Sequence, residues 1–286
     1  MKTIAVLSLL VIAACSKKEQ PPPPPQPAPT AGTGSAAPPA PNAPADAALV
    51  IPPYTPSADV PAAIKAAVTA EDRAPEDRAL DAGRKPGEVM AFFKIAPDQK
   101  IGELFAGRGY TTEVLARLVG GKGRVFAQNT KEINESFAKK PFETRMAKPV
   151  MAVVTPVERP IDDPFPADAA NLDVVFTFLN YHDTVNMKAD RAKMNKAVFA
   201  ALKKGGIYAI VDSSAAAGSG TRDTDTLHRI DEDVVKKEVT AAGFKLDGEG
   251  DVLRNPSDTR DWNSSPRAAG DRRGTSDRFM LRFVKP

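Results

Sequence analysis

The chain has two histidines, and each lies close to an acid: His182 in Asn180-Tyr181-His182-Asp183 and His228 in Leu227-His228-Arg229-Ile230-Asp231. An imidazole oriented by a carboxylate can act as a general base near neutral pH, suited to removing a proton from a nucleophile. His182 with Asp183, and His228, are therefore the catalytic candidates. A His-Asp zinc site is the alternative, but the sequence shows no obvious third ligand and no metal is expected. The second pattern is Glu103-Leu104-Phe105-Ala106-Gly107-Arg108-Gly109-Tyr110-Thr111-Thr112. Its two glycines permit a tight turn that brings a ligand against bare backbone amides, and the helix start behind them favours negative charge. The single cysteine, Cys15, excludes an intramolecular disulfide framework and any Cys-based zinc or iron-sulfur site. With 39 basic and 36 acidic residues the formal charge is +3, and mixed signs of that size give no reason to expect nucleic acid.

These residues need elements to position them. Short buried runs predict strands at 100–105, 124–128, 150–155, 172–178, 206–212, 244–253 and 278–284. Amphipathic stretches predict helices at 110–119, 132–139, 187–203 and 232–242. Asp231 is a natural N-cap for the last of these, and Gly243 its stop. Helical periodicity begins near Ala62, and Pro86 suits the first turn of a short helix ending near Lys94. Strands alternating with helical crossovers imply an α/β fold, a doubly wound, seven-stranded, mostly parallel sheet with helices on both faces. In such sheets ligands bind beyond the carboxyl ends of the strands, near the reversal in strand order. The glycine turn follows the first strand, 180–183 the fourth, and the long stretch containing His228 the fifth, so the candidates collect at one edge. The polar connection 254–277 emerges there too, where Arg254, Asn255 and Trp262 could cover an anionic or planar substrate.

The first 61 residues have a different character. Residues 4–14 form an apolar run too short for a bilayer, where about 20 residues are needed, but suited to a signal-peptide core. The run ends Ile12-Ala13-Ala14-Cys15, which resembles a bacterial lipobox. The resemblance implies a signal peptide over 1–14, lipid attachment at Cys15, and a destination in the cell envelope, at the outer membrane facing the periplasm, since Ser16 follows the cysteine. Between Ser16 and Pro61 lie 15 of the chain's 27 prolines. Few large apolar groups there can offset ordering entropy, so 15–61 is expected to be a disordered, semi-rigid tether to a single domain over 62–286.

The stretch 100–128 resembles the first motif of class I S-adenosylmethionine-dependent methyltransferases, acidic-x-G-x-G-x-G, with Glu103, Gly107 and Gly109 matching. The resemblance implies S-adenosylmethionine as cofactor, with Glu103, Ala106, Gly107, Gly109 and Thr111 about its methionine end and Asn180 and Tyr181 near the sulfur. Gln128 and Asn129 fall to the ribose, where the family usually carries an acidic residue. Phe105 replaces the motif's first glycine, which crowds the approach to the cofactor or forces a different backbone path. Over most of 75–286 the chain resembles a bacterial family of predicted exported methyltransferases, with NYHD and TLHRID as the more specific marks. In that family a histidine follows the aspartate ending the fifth strand; here it is Ser213. The implied activity is methyl transfer to a nitrogen or oxygen of a small molecule. Phe105, Asn129 and Ser213 also suit a non-catalytic relative that binds a nucleoside-like or other envelope ligand. A nicotinamide-dependent oxidoreductase would want a third glycine where Thr112 stands.

Overall fold

The computed structural model describes residues 54–286. The signal peptide, Cys15 and the tether as far as residue 53 lie outside the described residues. In chain order the helices are α1 (Ala62–Val68), α2 (Pro75–Arg84), α3 (Pro86–Phe92), α4 (Tyr110–Val119), α5 (Lys131–Ile133), α6 (Lys139–Met146), α7 (Tyr181–Asn186), α8 (Arg191–Ala201), α9 (Thr224–Leu227) and α10 (Glu232–Ala241). The strands are β1 (Lys100–Leu104), β2 (Arg124–Asn129), β3 (Val154–Glu158), β4 (Leu172–Phe178), β5 (Leu202–Ser213), β6 (Lys245–Gly250) and β7 (Arg278–Val284).

All seven strands form one sheet in the order β3-β2-β1-β4-β5-β7-β6. Only β7 runs against the others, pairing antiparallel with β5 on one side and β6 on the other. The order reverses between β1 and β4, which pair in parallel from Ile101 opposite Val174 to Leu104 opposite Thr177. A crevice therefore opens at the carboxyl ends of these two strands. Alternation along each strand sends side chains into two cores. Ile101, Val125, Val174, Ala209 and Met280 pack on the face covered by α1, α3 and α4, and Val175, Tyr208, Ile210 and Phe279 on the face covered by α8 and α10. Each fully buried side chain of this size contributes roughly 1.5–3 kcal/mol, and the paired cores hold the strand ends rigidly in place.

Several elements differ from their sequence expectation. The run at 150–155 divides: Pro149 starts a 3-10 turn, Pro149–Val153, that buries Met151, and β3 begins only at Val154. The helix expected at 187–203 starts later and ends earlier, as α8, and a separate short helix, α7, precedes it; Lys188 between them takes a positive φ of 55° and Asp190 caps α8 by accepting from the Lys193 amide. The helix expected at 132–139 continues to Met146 through a π-helical stretch, Asn134–Ala138. β6 stops at Gly250, short of 253, because Asp251 to Arg254 form a turn. Residues 54–61, grouped with the tether by composition, lie against α3: the Tyr54 hydroxyl and the Ser57 amide donate to Glu88 at 2.6 and 2.8 Å.

Candidate functional site

The glycine turn between β1 and α4 is held from the neighbouring strand. The Phe105 amide donates to Gln128 Oε1 at 3.1 Å, the Ala106 amide to the Gln128 carbonyl at 2.8 Å, and the Gly107 amide to Asn129 Oδ1 at 2.8 Å. Asn129 Nδ2 returns a bond to the Gly107 carbonyl at 3.1 Å, and Gln128 Nε2 donates to the Arg159 carbonyl. Both amides are buried. Half of each amide's hydrogen-bonding capacity is thus committed to the turn and to Arg159, and one lone pair and one N–H on each are what is left for a ligand such as a ribose.

Phe105 takes the second of its two expected courses, a changed backbone path. Its φ is 54°, left-handed for a residue with a Cβ, at a cost of about 1–2 kcal/mol. Its ring is buried in the cluster that contains Phe126, Val157 and Ile161, away from the turn. A Cβ on Gly107 would meet nothing nearer than the Phe105 carbonyl at 3.9 Å, so that side of the turn is open. Gly109 is covered instead: a Cβ there would come within 2.8 Å of Arg145 Cδ. Arg145 donates to the Arg108 carbonyl and pairs with Asp77 and Glu113. Nothing near the turn in sequence signals this strap, because Arg145 arrives from α6, far along the chain.

Behind the turn, Glu103 is buried and accepts from Thr112 Oγ1 at 2.5 Å. Burial pushes its carboxyl up to about 7, against the opposing pull of the Thr112 hydrogen bond and the Arg145 charge. Ala106 and Thr111 are buried at the two ends of the same turn.

Beyond β4 the four residues of the NYHD run go separate ways. Asn180 turns its amide back onto the Phe178 carbonyl at 2.7 Å. Tyr181 is 1% exposed and points away from the crevice, its hydroxyl donating to Glu238 Oε2 at 2.9 Å and accepting from Asn195 Nδ2 at 2.8 Å. Its hydroxyl is therefore engaged away from the turn; as the first residue of α7 it falls on the side facing α8 and α10. His182 and Asp183 turn toward His228, so the chain's two histidines do meet. His182 Nδ1 donates to Asp212 Oδ1 at 2.8 Å, and its backbone amide donates to Asp212 Oδ2 at 2.8 Å. His182 Nε2 stands 3.2 Å from His228 Nδ1 and 3.2 Å from Asp183 Oδ1.

The carboxylate that orients His182 is thus Asp212, at the end of β5, rather than the adjacent Asp183. Burial works against a charge on His182, but Asp212 and Asp183 outweigh it and push the imidazole up to about 10. His228 moves the other way, lowered by its own burial and by the His182 charge. A protonated ring beside a neutral one follows. His182 Nε2, His228 Nδ1 and Asp183 Oδ1 are also the three donor atoms a metal would use, all within 4.8 Å of one another. Folding brings His228 to the His182–Asp183 pair as the third possible ligand.

Arg254, Asn255 and Trp262 are tied down where the sequence suggested a cover. Arg254 pairs with Glu232, Asn255 Nδ2 donates to the Thr275 carbonyl, and Trp262 Nε1 donates to Asp258. Their anchor is Arg229, fully buried, whose guanidinium grips both Asp258 oxygens at 2.7 and 3.2 Å and lies 4.7 Å from the Trp262 ring. The loop 254–277 is braced from beneath.

No protein-family model and no curated protein matches the chain. Solved structures do. A SAM-dependent methyltransferase from Aquifex aeolicus aligns at 15% identity over 74% of this chain and 94% of its own, with a TM-score of 0.51. A chain of the complex between the Haloferax volcanii Trm112 methyltransferase activator and its methyltransferase aligns at 16% identity over 74% and 93%, with a TM-score of 0.50. The seven-stranded sheet with its helices on both faces is therefore the class I methyltransferase, Rossmann-like fold.

Proposed function

We propose that this protein is an S-adenosylmethionine-dependent methyltransferase acting on a nitrogen or oxygen of a small molecule. The observation that carries the proposal is the coincidence, at one sheet edge, of a glycine turn open at Gly107 with a pair of histidines in opposite charge states. S-adenosylmethionine, when bound, supplies a methyl group activated on a sulfonium. The residues present fit it: the Gly107 side of the turn and the start of α4 suit the methionine end, and the free lone pair of Asn129 suits one ribose hydroxyl. The histidine cluster handles the acceptor's proton. His182, held charged between Asp212 and Asp183, is a poor base. His228, half-buried and kept neutral, takes the proton. The His182 Nε2 proton lies between His228 Nδ1 and Asp183 Oδ1, each 3.2 Å away, and Asp183 stabilises the charge that builds on the pair.

Isothermal titration of the full chain with S-adenosylmethionine and S-adenosylhomocysteine is expected to show saturable binding, and no heat with either sinks the proposal. His228→Ala is expected to lower methyl transfer by about 10²–10⁴-fold with cofactor affinity unchanged. The comparison uses the acceptor identified by mass spectrometry of what co-purifies with the protein.

A second reading, a non-catalytic binder of a nucleoside-like ligand, is favoured by Gln128 and Asn129, amides that hold the turn where a carboxylate would pair with ribose hydroxyls. Retention of a co-purified ligand together with failure to bind cofactor would select it. The proposal also includes the envelope anchor at Cys15. Cys15→Ala is expected to move the protein from the detergent phase to the aqueous phase, and a variant that stays with detergent removes the anchor.

A further inference from the structure

Arg84, the last residue of α2, and Arg278, the first of β7, are cations that make no ion pair among the described residues. Arg278 is 4% exposed and donates only to neutral carbonyls, those of Ser276 at 3.1 Å and Gly274 at 2.8 Å. Arg84 makes no ion pair among the described residues; its guanidinium lies 4.2 Å from the centre of the Tyr110 ring and 5.7 Å from that of Phe178. The two arginines flank one backbone contact. Gly83 approaches so closely that a Cβ on it would sit 2.9 Å from Gly274 Cα, and Gly274 is the residue whose carbonyl Arg278 holds. Burial first, and then the charge of Arg84, lower the Arg278 guanidinium to about 10.

The neighbouring carboxylates are engaged elsewhere. Asp81 pairs with Arg73 and accepts from the Tyr110 hydroxyl, and Asp77 pairs with Arg145. Asp258 pairs with Arg229, and Asp277 with Arg254 and Arg260. Buried charge is tolerated when a partner compensates it, and here the fold leaves that partner to come from outside. The location says what it would be. Tyr110 opens α4 beyond β1 and Phe178 ends β4, so Arg84 stands over the crevice where the strand order reverses. Arg278 faces Ser213 across the β5–β7 pair, on the far side of that crevice from β2 and the ribose end.

We propose that Arg84 and Arg278 together receive an oxyanion, a carboxylate or phosphate, carried by the small-molecule acceptor. The guanidinium forks match either group in geometry and charge. The inference rests on the proposed function only in calling the ligand an acceptor; the anion site stands without it.

The test is thermal unfolding of the full chain in sodium phosphate and in sodium acetate, each against sodium chloride at equal ionic strength. Preferential binding to the native state raises Tm, so wild type is expected to be stabilised by one of the two oxyanions over chloride. The tighter of the two identifies phosphate or carboxylate as the natural group. Arg84→Gln, which removes the half-buried member, is expected to weaken that binding at least ~10-fold. It should also raise Tm in chloride, because the repulsion with Arg278 is gone. No oxyanion effect in wild type, or an equal effect in Arg84→Gln, overturns the site. Competition between the oxyanion and S-adenosylhomocysteine in titration would overturn its assignment to the acceptor. Failure of the cofactor to bind, with the oxyanion effect intact, would remove the methyltransferase reading and leave the anion site in place.

Discussion

Arg229→Met is expected to destabilise the native state by about 3–5 kcal/mol, a large part of the 5–15 kcal/mol that holds a typical domain together. The Arg229 and Asp258 side chains are both 0% exposed, so neither charge has water to fall back on once the other is gone. Arg229 also donates to the carbonyls of Ser214 and Trp262, tying the end of β5 to the loop 254–277. Asp258 in turn accepts from the Trp262 indole and the Asp277 amide, so loss of the arginine frees the centre of the loop. Urea unfolding at pH 7 measures the change. The double variant Arg229→Met, Asp258→Leu is expected to regain much of the loss, because a buried pair replaced by apolar groups of similar volume leaves no orphaned charge. A single variant that loses under about 1 kcal/mol would show that the loop is held by something other than this pair.

Stability is expected to fall as pH rises from 5 to 10, in two overlapping steps. The first belongs to Glu103. Its native value of about 7 lies above the ordinary 4.5, so the folded state holds the proton more tightly than the unfolded one. That contribution is complete below 4.5, is lost as pH passes through 7, and amounts to roughly 3 kcal/mol. The second belongs to His182, raised from 6.5 to about 10; its contribution, on the order of 5 kcal/mol, is complete below 6.5 and lost as pH passes through 10. At the acid end the sign reverses. Asp258 is held below the carboxylate range by Arg229 and backbone donors despite its burial, so its contribution disappears as pH falls below 3.8. The optimum therefore lies on the acid side of neutrality. Urea midpoints at pH 5, 7.5 and 10 trace the curve. Glu103→Gln is expected to flatten the lower step and Asp212→Asn the upper one, and equal stability at pH 5 and 10 would contradict both assignments.

Particular residues show how far the sequence carries. The apolar runs of β1, β2, β4 and β7 are legible because a strand buried on both faces is apolar at most of its central positions, its polar residues falling mainly toward the ends. The break between α7 and α8 is not, since it depends on one backbone turn at Lys188 and one cap at Asp190 inside a stretch of good helix formers. His182 and His228 are legible as a pair because the chain has no other histidine and each follows a strand. Asp212 is not legible as their partner. It reads as the last residue of a strand, and only the register that sets Phe178 beside Val211 brings it under the first turn of α7.

What the sequence determined by itself is local: the alternation that makes a mostly parallel sheet, the glycines that let the chain turn sharply after β1, and the presence of two histidines and their neighbouring acids. What only the tertiary structure decided is which charges meet. Asn129 is held by the Gly107 peptide, Tyr181 faces α8 and α10, His182 is charged and His228 neutral, and among the described residues Arg84 and Arg278 make no ion pair. The reason is physical. Periodicity and turn preference act between residues a few positions apart, whereas a protonation state is set by whichever groups folding brings within a few ångströms.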